Sequence, residues 1–206
     1  MSVQGVNEAV AAIGAGKVVI LPTDTVYGLV ADGYREAPVR GLYELKRRPE
    51  SMPCALLGGD VDVILDAIPE LRGRAAVVAR ALLPGPYTLV LPNPARRFRW
   101  LCGSAPEAIG IRVPELPPEA QAALDRVGAV ASTSANLHGG ADPRRLEDIP
   151  DELRAGVGAT IDVGELAGTP STVLDLTATE PRVLREGAVA AAVALEQTRA
   201  ALAGRT

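Results

Sequence analysis

The amino-acid sequence predicts an α/β fold, in which helices cover a mixed sheet. Three observations support this prediction. Apolar residues make up 48% of the 206 residues and charged residues 22%, a balance that is typical of a packed globular protein. Short β-branched runs alternate with segments of helical pattern along the chain. The spacing between these runs varies too much for a regular βαβ series, so a mixed sheet is expected rather than an all-parallel one.

The first elements follow from apolar spacing and from glycine and proline. Apolar residues recur at helical spacing over 6–13, and two glycines close that helix. The run KVVIL at 17–21 stops at a proline and is predicted as a strand. A polar loop then leads into a second apolar stretch that reaches Val30. The spacing of residues 39, 42, 43 and 46 predicts a helix over 39–46, and the proline that follows shortly afterwards marks its end.

The rest of the chain continues in the same manner and ends in a helix predicted at 189–202. No internal repeat and no linker divides the chain, so residues 1–206 are expected to form one domain, with the informative motifs lying within about 17–187. The other helices are predicted at 61–67 and 72–82, and the other strands at 54–57, 87–91, 109–113, 129–132, 160–163, 172–176 and 182–185.

Composition excludes several classes of protein. Cys54 and Cys102 lie in unrelated contexts, which favours a reducing cytosol over a disulfide framework. The first twelve residues lack the pattern of a signal peptide, and no stretch approaches the ~18 uninterrupted apolar residues of a membrane helix. One histidine and two dispersed cysteines are too few for a zinc site. The net charge of -4 argues against tight, nonspecific nucleic-acid binding, although a local basic cleft is compatible with it.

Hydroxyl groups crowd the loop after the first strand. Thr23, Thr25 and Tyr27 stand within five residues, and hydroxyls both donate and accept hydrogen bonds. They could orient a small polar substrate. The alternative is a turn in which the threonines and Asp24 bond only to their own backbone. Spacing alone does not decide between the two.

Two cations flank the end of the helix predicted over 39–46. Lys46 and Arg48 would be favoured there by the helix dipole, which is a purely structural explanation. The functional alternative is a pair of cations that face a polyphosphate, with Arg48 able to bind two oxygens at once.

A third polar cluster, STSAN at 132–136, follows the strand predicted at 129–132. Ser134 and Asn136 are two residues apart, so on extended backbone their side chains point the same way and could face one phosphate, next to Thr133. Such clusters also form ordinary loops. His138 is expected to be a surface residue rather than a base.

Two arginines lie within strand-like segments. Arg112 and Arg185 have mostly apolar neighbours, where a guanidinium is seldom buried without a partner. The partner could be the carboxylate or phosphate of a substrate, or an internal aspartate or glutamate. Neither a Walker-type phosphate loop nor a dinucleotide-binding glycine motif is present in the sequence.

Seven segments, taken together and in order, resemble the YrdC-type threonylcarbamoyl-AMP synthase family. Any one of them is a weak signal, but coincidence does not explain seven in the order of the family. They extend from residue 21 to 187 and read LPTDTVYGL (21–29), KRRP (46–49), LLPGPYTLVL (82–91), GIRVP (110–114), STSAN (132–136), PSTVLDL (170–176) and LREG (184–187).

The resemblance implies a twisted, mixed, open sheet around a central, positively lined cavity. It implies an enzyme that makes threonylcarbamoyl-adenylate and pyrophosphate from L-threonine, bicarbonate and ATP, with Mg²⁺ bound mainly through the phosphates. A partner complex would then transfer the threonylcarbamoyl group to tRNA. Weak RNA binding is compatible with this expectation, and the location would be cytoplasmic.

The resemblance also implies roles for particular residues. The family signature corresponds to a Lys-x-Arg pair and a Ser-x-Asn pair, which would carry the catalysis and bind ATP: Lys46, Arg48, Ser134 and Asn136. Thr133 and Arg185 would join the ATP site. Arg112 would hold the carboxylate of threonine, and the remaining residues of the threonine site would be Thr23, Thr25, Tyr27 and Ser171.

Four positions depart from the family pattern. Leu83 replaces an aromatic residue, Tyr87 replaces a leucine, His138 replaces a serine, and a histidine expected within 53–60 is absent. These changes affect the shape of the pocket rather than the signature residues. The alternatives are a module that binds double-stranded RNA or tRNA through the same cleft, a carbamoyl-adenylate enzyme of hydrogenase maturation, and a relative that has lost activity.

Overall fold

The computed structural model describes residues 3–204, and nine strands and seven α-helices lie within them. The helices are α1 (Val3–Gly14), α2 (Glu36–Leu45), α3 (Val61–Ala67), α4 (Arg74–Leu82), α5 (Pro118–Val127), α6 (Asp151–Gly156) and α7 (Ala191–Ala203). The strands are β1 (Val19–Pro22), β2 (Tyr27–Asp32), β3 (Ala55–Leu57), β4 (Tyr87–Pro92), β5 (Ala108–Arg112), β6 (Val130–Ser134), β7 (Ala159–Thr160), β8 (Thr172–Asp175) and β9 (Arg182–Arg185). Two 3₁₀ turns lie at Arg99–Leu101 and Leu146–Asp148.

All nine strands belong to one mixed sheet, in the order β7-β1-β2-β6-β3-β5-β4-β8-β9. Three pairs are parallel (β1 with β7, β3 with β5, and β4 with β8), and the other five are antiparallel. This mixed, single-domain α/β fold confirms the predicted fold class. Within the described residues, no helix is both long and apolar enough to cross a membrane.

The sheet has an apolar layer on each face, because successive side chains of a strand point to opposite sides. In β1, Ile20 packs into the larger core cluster, whereas Val19 and Leu21 pack into a smaller one. The smaller cluster includes Ile13 of α1 and Leu124 of α5. Strands β1, β2, β3 and β6 each contribute buried apolar residues to both clusters, so part of each strand is covered on both faces.

The middle strands combine large side chains on one face with small ones on the other. Leu29, Leu56, Ile109 and Ile111 are fully buried in the larger cluster. The positions that alternate with them are small, and they line a cavity instead: Gly28 of β2, Ala55 of β3, Ala108 and Gly110 of β5, and Ser132 of β6. The sequence thus leaves an open space against the sheet at a place where larger residues would have filled it.

Most predicted boundaries agree with the structure to within one to three residues. The strand predicted at 160–163 is the clearest difference, since β7 covers only Ala159–Thr160. Asp162 ends it, because its Oδ1 accepts hydrogen bonds from the Gly164 amide and from the Tyr27 hydroxyl. The Asp162 side chain thus binds the backbone amide of Gly164, and this hydrogen bond competes with those that would extend the strand. The helix predicted to begin at residue 72 begins at Arg74, after Gly73 at a φ of 59°.

Candidate active site

A cavity of about 370 Å³ lies against the small side chains of the middle strands. Three arginines and one aspartate provide its charged lining: Arg48, Arg112, Arg185 and Asp142. Hydroxyl groups of Thr88, Thr133, Ser134 and Ser171 contribute to the lining as well. The cavity is thus mainly cationic, which suits an anionic ligand.

Lys46 lies directly behind this lining and is only 2% exposed. Its Nζ donates to the side-chain oxygen of Asn136 at 2.6 Å, to Ser134 Oγ at 3.3 Å and to the Ser134 carbonyl oxygen. Ser134 Oγ in turn donates to Asn136 Oδ1 at 2.7 Å. The structure therefore joins three of the four predicted catalytic residues in one network. All the acceptors of Lys46 in it are neutral.

The backbone after α2 explains why Lys46 and Arg48 reach the site while Arg47 does not. Lys46 caps the helix, and Arg47 has a φ of 51°, in the left-handed region that non-glycine residues rarely adopt. This reversal directs the Arg47 side chain outward to an ion pair with Glu152. The residues on either side of it turn towards the cavity wall.

The pKa of Lys46 is lowered from 10.5 to about 8. Burial is the main cause, and the nearby positive charge of Arg48 is the second. A buried ammonium without a carboxylate partner is electrostatically costly. An anion in the cavity would relieve part of that cost. The lysine is therefore placed so that a bound polyphosphate would favour its charged form.

Arg48 reaches the cavity from beside Lys46. Its two terminal nitrogens donate to Thr133 Oγ1 at 3.0 Å and to the Pro53 carbonyl oxygen at 2.7 Å. Its Nε is buried and has no hydrogen-bond partner. A guanidinium held by two neutral acceptors keeps its full charge available to a ligand.

Arg112 forms the opposite kind of contact, because it has an internal carboxylate partner. Its Nη2 donates to Asp24 Oδ1 at 2.7 Å, to Thr25 Oγ1 at 2.5 Å and to Thr23 Oγ1 at 3.4 Å. Burial lowers the pKa of Arg112, and the charge of Asp24 opposes that shift. Arg112 Nε and Asp24 Oδ2 are both buried without a hydrogen-bond partner.

The sequence left open whether the partner of Arg112 is a substrate group or an internal carboxylate. The partner of Arg112 in the structure is an internal aspartate, and the two threonines of the loop complete its surroundings. Thr23 Oγ1 also donates to the Val26 carbonyl oxygen at 2.7 Å, so part of the turn explanation is correct as well. The orientation of a substrate by these hydroxyls stays a prediction.

Arg185 and Ser171 meet on the β8–β9 side of the cavity. Arg185 Nη2 donates to the Ser171 carbonyl oxygen at 2.8 Å, and Ser171 Oγ lies 2.8 Å from Thr88 Oγ1. The approach of the two segments requires Gly187, because a Cβ at that position would collide with the Pro170 carbonyl oxygen. Close packing against Pro170 therefore explains why the LREG motif ends in glycine.

Five predicted site residues are not part of the cavity lining. The side chains of Lys46, Asn136, Thr23 and Thr25 contact residues that are, whereas the Tyr27 hydroxyl points elsewhere. This hydroxyl lies 2.8 Å from Asp162 Oδ1 and 2.7 Å from the Gly164 carbonyl oxygen, and it accepts a hydrogen bond from the Val163 amide. Burial raises its pKa to about 12. We therefore leave Tyr27 out of the candidate site. His138 is exposed, as expected.

Sequence reasoning missed three residues that the structure places at the site. Asp24 was considered only as a turn former, although it is the ion-pair partner of Arg112. Asp142 and Thr88 line the cavity and were not singled out. Thr88 lies on β4 with Val90 and carries a signal that could have been used, since a threonine alternates there with large apolar residues.

Comparison with known proteins assigns the chain to a family. The family model Sua5/YciO/YrdC, described as telomere recombination, matches residues 11–187. The chain belongs to this family. The match includes all seven motif segments and every lining residue named above, so the cavity is formed by the family domain itself.

Individual relatives cover nearly the same part of the chain. A Mycobacterium tuberculosis protein is 37% identical over 189 residues, which are 90% of this chain and 85% of the relative. The threonylcarbamoyl-AMP synthase of Xanthomonas oryzae pv. oryzae is 33% identical and covers 87% of this chain and 96% of the relative. The crystal structure of Pyrococcus abyssi Sua5 complexed with L-threonine matches this fold with a TM-score of 0.80 and 31% sequence identity. The match covers 88% of this chain and 54% of the longer Sua5 chain.

Proposed function

We propose that this chain is a nucleotidyltransferase that makes threonylcarbamoyl-AMP and pyrophosphate from L-threonine, bicarbonate and ATP. The observation that carries this proposal is the cationic cavity, in which Arg48, Arg112 and Arg185 surround a space of about 370 Å³. Membership of the family and relatives that carry this name support it. The product would serve a partner complex that modifies tRNA, and the location would be the cytosol.

Two groups of residues would divide the work. Lys46, Arg48, Ser134 and Asn136 would bind the triphosphate, with Thr133 and Arg185 as further ATP contacts. The negative charge that grows on the pyrophosphate leaving group would be stabilised by cations and donors that are already in place. No covalent nucleophile is needed, because the carboxylate of the threonine carbamate attacks the α-phosphate. Positioning would therefore supply most of the catalysis.

The threonine would bind near Arg112, with Thr23, Thr25 and Ser171 around it. Arg112 already contacts Asp24, so the substrate carboxylate would share the guanidinium with an internal carboxylate or displace it. Arg112 Nε is without a partner, which leaves part of the fork available to a second carboxylate.

A magnesium ion fits these surroundings only as a companion of the phosphates. Within residues 3–204, no group of three or more histidine, cysteine, aspartate or glutamate side chains could hold a metal ion. Asp142 is the one carboxylate among the lining residues there. Mg²⁺ commonly uses one or two carboxylates together with phosphate oxygens and water. Bound in this way, it would neutralise charge on the phosphates.

The test is the release of pyrophosphate from ATP and bicarbonate, with each amino acid supplied in turn. Release that depends on threonine is the expected result. Release with carbamoyl phosphate and no amino acid would instead indicate a carbamoyl-adenylate enzyme. The absence of release under every condition would contradict the proposal, and the Lys46→Met variant provides the background value for the assay.

A further inference from the structure

One acidic side chain faces the cationic cavity without a partner. Asp142 is the one carboxylate among the described lining residues, against three arginines. Its side chain is half-buried and, in the part of the chain that the structure describes, takes part in no hydrogen bond and no ion pair. The nearby Asp24 differs, because it is bound to Arg112. The charge of Asp142 is therefore available to a ligand.

The backbone of Tyr27 anchors the loop that carries Asp142. The Tyr27 carbonyl oxygen accepts a hydrogen bond from the Ala135 amide at 2.8 Å, and the Tyr27 amide donates to the Pro143 carbonyl oxygen at 3.0 Å. Both ends of the loop are therefore fixed to the same residue of β2. Asp142 directly precedes the anchored Pro143, so the sheet determines where this carboxylate meets the cavity.

Asp142 lies within electrostatic reach of both cationic clusters. Burial lowers the pKa of Lys46 and of Arg112, and in both cases the negative charge of Asp142 is among the charges that oppose the shift. The anchor at Tyr27 brings Asp142 to the side of Arg112. Tyr27 comes two residues after Thr25, whose hydroxyl accepts a hydrogen bond from Arg112.

A carboxylate at this place does not help to bind a polyanion. It would repel the phosphates of ATP, so the triphosphate does not explain its presence. A ligand that also brings a positive charge does explain it. The proposed reaction offers two such charges, the α-ammonium group of threonine and a magnesium ion.

We infer that Asp142 binds the α-ammonium group of the amino-acid substrate and thereby selects amino acids over other carboxylates of the same shape. The identity of this substrate rests on the proposed function. Arg112 would hold the carboxylate of the zwitterion and Asp142 its ammonium, so each charge would meet a side chain of opposite sign. A site built to bind a polar group rejects an analogue that lacks the group. The contact would also position the nitrogen that carries the carbamate.

A magnesium ion explains Asp142 less well than an ammonium group does. Mg²⁺ that is bound to ATP takes most of its contacts from phosphate oxygens and water. We expect the phosphates beside Lys46 and Arg48, whereas Asp142 is anchored next to the loop that surrounds Arg112. The free oxygens of Asp142 are acceptors, and an ammonium group has three N–H donors for them.

The experiment compares two ligands that differ in the ammonium group alone. L-Threonine and D-β-hydroxybutyrate, which lacks that group, are titrated calorimetrically into the full chain without ATP. Asp142→Asn should weaken threonine binding about tenfold or more, because a hydrogen-bonded ion pair is lost. The affinity for hydroxybutyrate should stay the same or rise. Asp142→Glu keeps the charge and should restore part of the threonine affinity.

Two controls accompany these variants. Glu147→Gln removes an equal charge from an exposed position outside the lining and should leave both affinities unchanged. ATP is titrated in the presence of Mg²⁺ into Asp142→Asn, where its affinity should stay the same or rise, since a negative charge near the phosphates is removed. In the pyrophosphate assay, Asp142→Asn should raise KM for threonine more than it lowers kcat.

Several results would overturn the inference. Equal losses of threonine and hydroxybutyrate would show that Asp142 only shapes the cavity. An unchanged threonine affinity would remove Asp142 from the site, and a higher Mg²⁺ requirement for ATP binding in the same variant would make it a metal ligand. The absence of threonine binding by the natural chain would also contradict the inference. Threonine binding without pyrophosphate release would instead contradict the proposed function and leave the ammonium contact valid.

Discussion

The two cationic clusters of the cavity differ in how their charge is balanced. Lys46 is surrounded by neutral acceptors from Ser134 and Asn136, and Arg48 nearby likewise donates only to neutral oxygens. Arg112 is paired with the internal carboxylate of Asp24. The first cluster therefore has an excess of positive charge, whereas the second is close to neutral. The difference would suit the two proposed substrates, since a triphosphate brings several negative charges and an amino acid is a zwitterion.

The two clusters also differ in how much they cost the stability of the fold. Burying the lysine without a counter-ion costs stability, and the cost is retained at the place where a polyanion would bind. The arginine is compensated internally, so its cluster can exist without substrate. Five predictions follow, and the first four are able to break this contrast.

The largest effect is expected at Lys46. Lys46→Met should lower turnover in pyrophosphate release by about 10²-fold or more, because a charge next to the leaving group is lost while the buried volume is kept. The matched control is Lys17→Ala, the exposed lysine before β1, which should retain full turnover. Near-normal turnover of Lys46→Met would mean that the lysine only closes the end of α2.

The same variant should change how stability depends on pH. The pKa of Lys46 is lowered from 10.5 to about 8 by burial, so between these values the unfolded chain binds more protons than the folded one. The free energy of unfolding of the natural chain should therefore rise with pH in this window, by on the order of 3 kcal/mol relative to Lys46→Met. Urea unfolding of both proteins from pH 7 to pH 10 measures this difference. Parallel pH profiles would show that the lysine is not desolvated.

Arg48→Ala should also lower turnover by about 10²-fold, with little change in melting temperature, because its guanidinium donates only to Thr133 and the Pro53 carbonyl. Arg47→Ala is the matched control, since Arg47 points outward to Glu152. Equal losses for the two variants would show that the effect comes from the helix end rather than from the cavity.

A smaller and more selective effect is expected at Arg112. Arg112→Lys should weaken threonine binding about tenfold or more and leave ATP binding unchanged, because an ammonium cannot contact Asp24 and a substrate carboxylate as a planar fork does. Isothermal titration with each ligand separately measures this. A strongly lowered melting temperature would assign a structural role to Arg112 and its ion pair.

The smallest effect is expected at Tyr27. Tyr27→Phe should leave both substrate affinities unchanged and lower the free energy of unfolding by about 1 kcal/mol, since its hydroxyl bonds to the segment 162–164. Thermal unfolding and the titrations above provide the two measurements. A loss of threonine affinity would return Tyr27 to the site.

Much of the fold was predictable because local signals agree with one another. The end of the first strand at Pro22 and the segments 61–67 and 182–185 were predicted to within a residue, since proline, glycine and apolar spacing mark their limits. The order of strands in the sheet was not predictable, because pairing between distant segments leaves no trace in local spacing.

The candidate site was predictable in its residues but not in its contacts. Lys46, Ser134 and Asn136 could be named from their motifs, yet their shared network depends on the pairing of β2 with β6. The ion pair of Asp24 with Arg112 joins residues 88 positions apart. Tyr27 was misplaced because a strand residue can face either side, and only the tertiary structure shows which side holds the cavity.

The division of the cavity into a triphosphate cluster and a threonine cluster is tested most directly by a crossed titration. ATP and threonine are titrated separately into Lys46→Met and Arg112→Lys. We expect Lys46→Met to lose affinity for ATP and keep it for threonine, and Arg112→Lys to do the reverse. Equal losses of both ligands in either variant would contradict the division and leave a single undivided site.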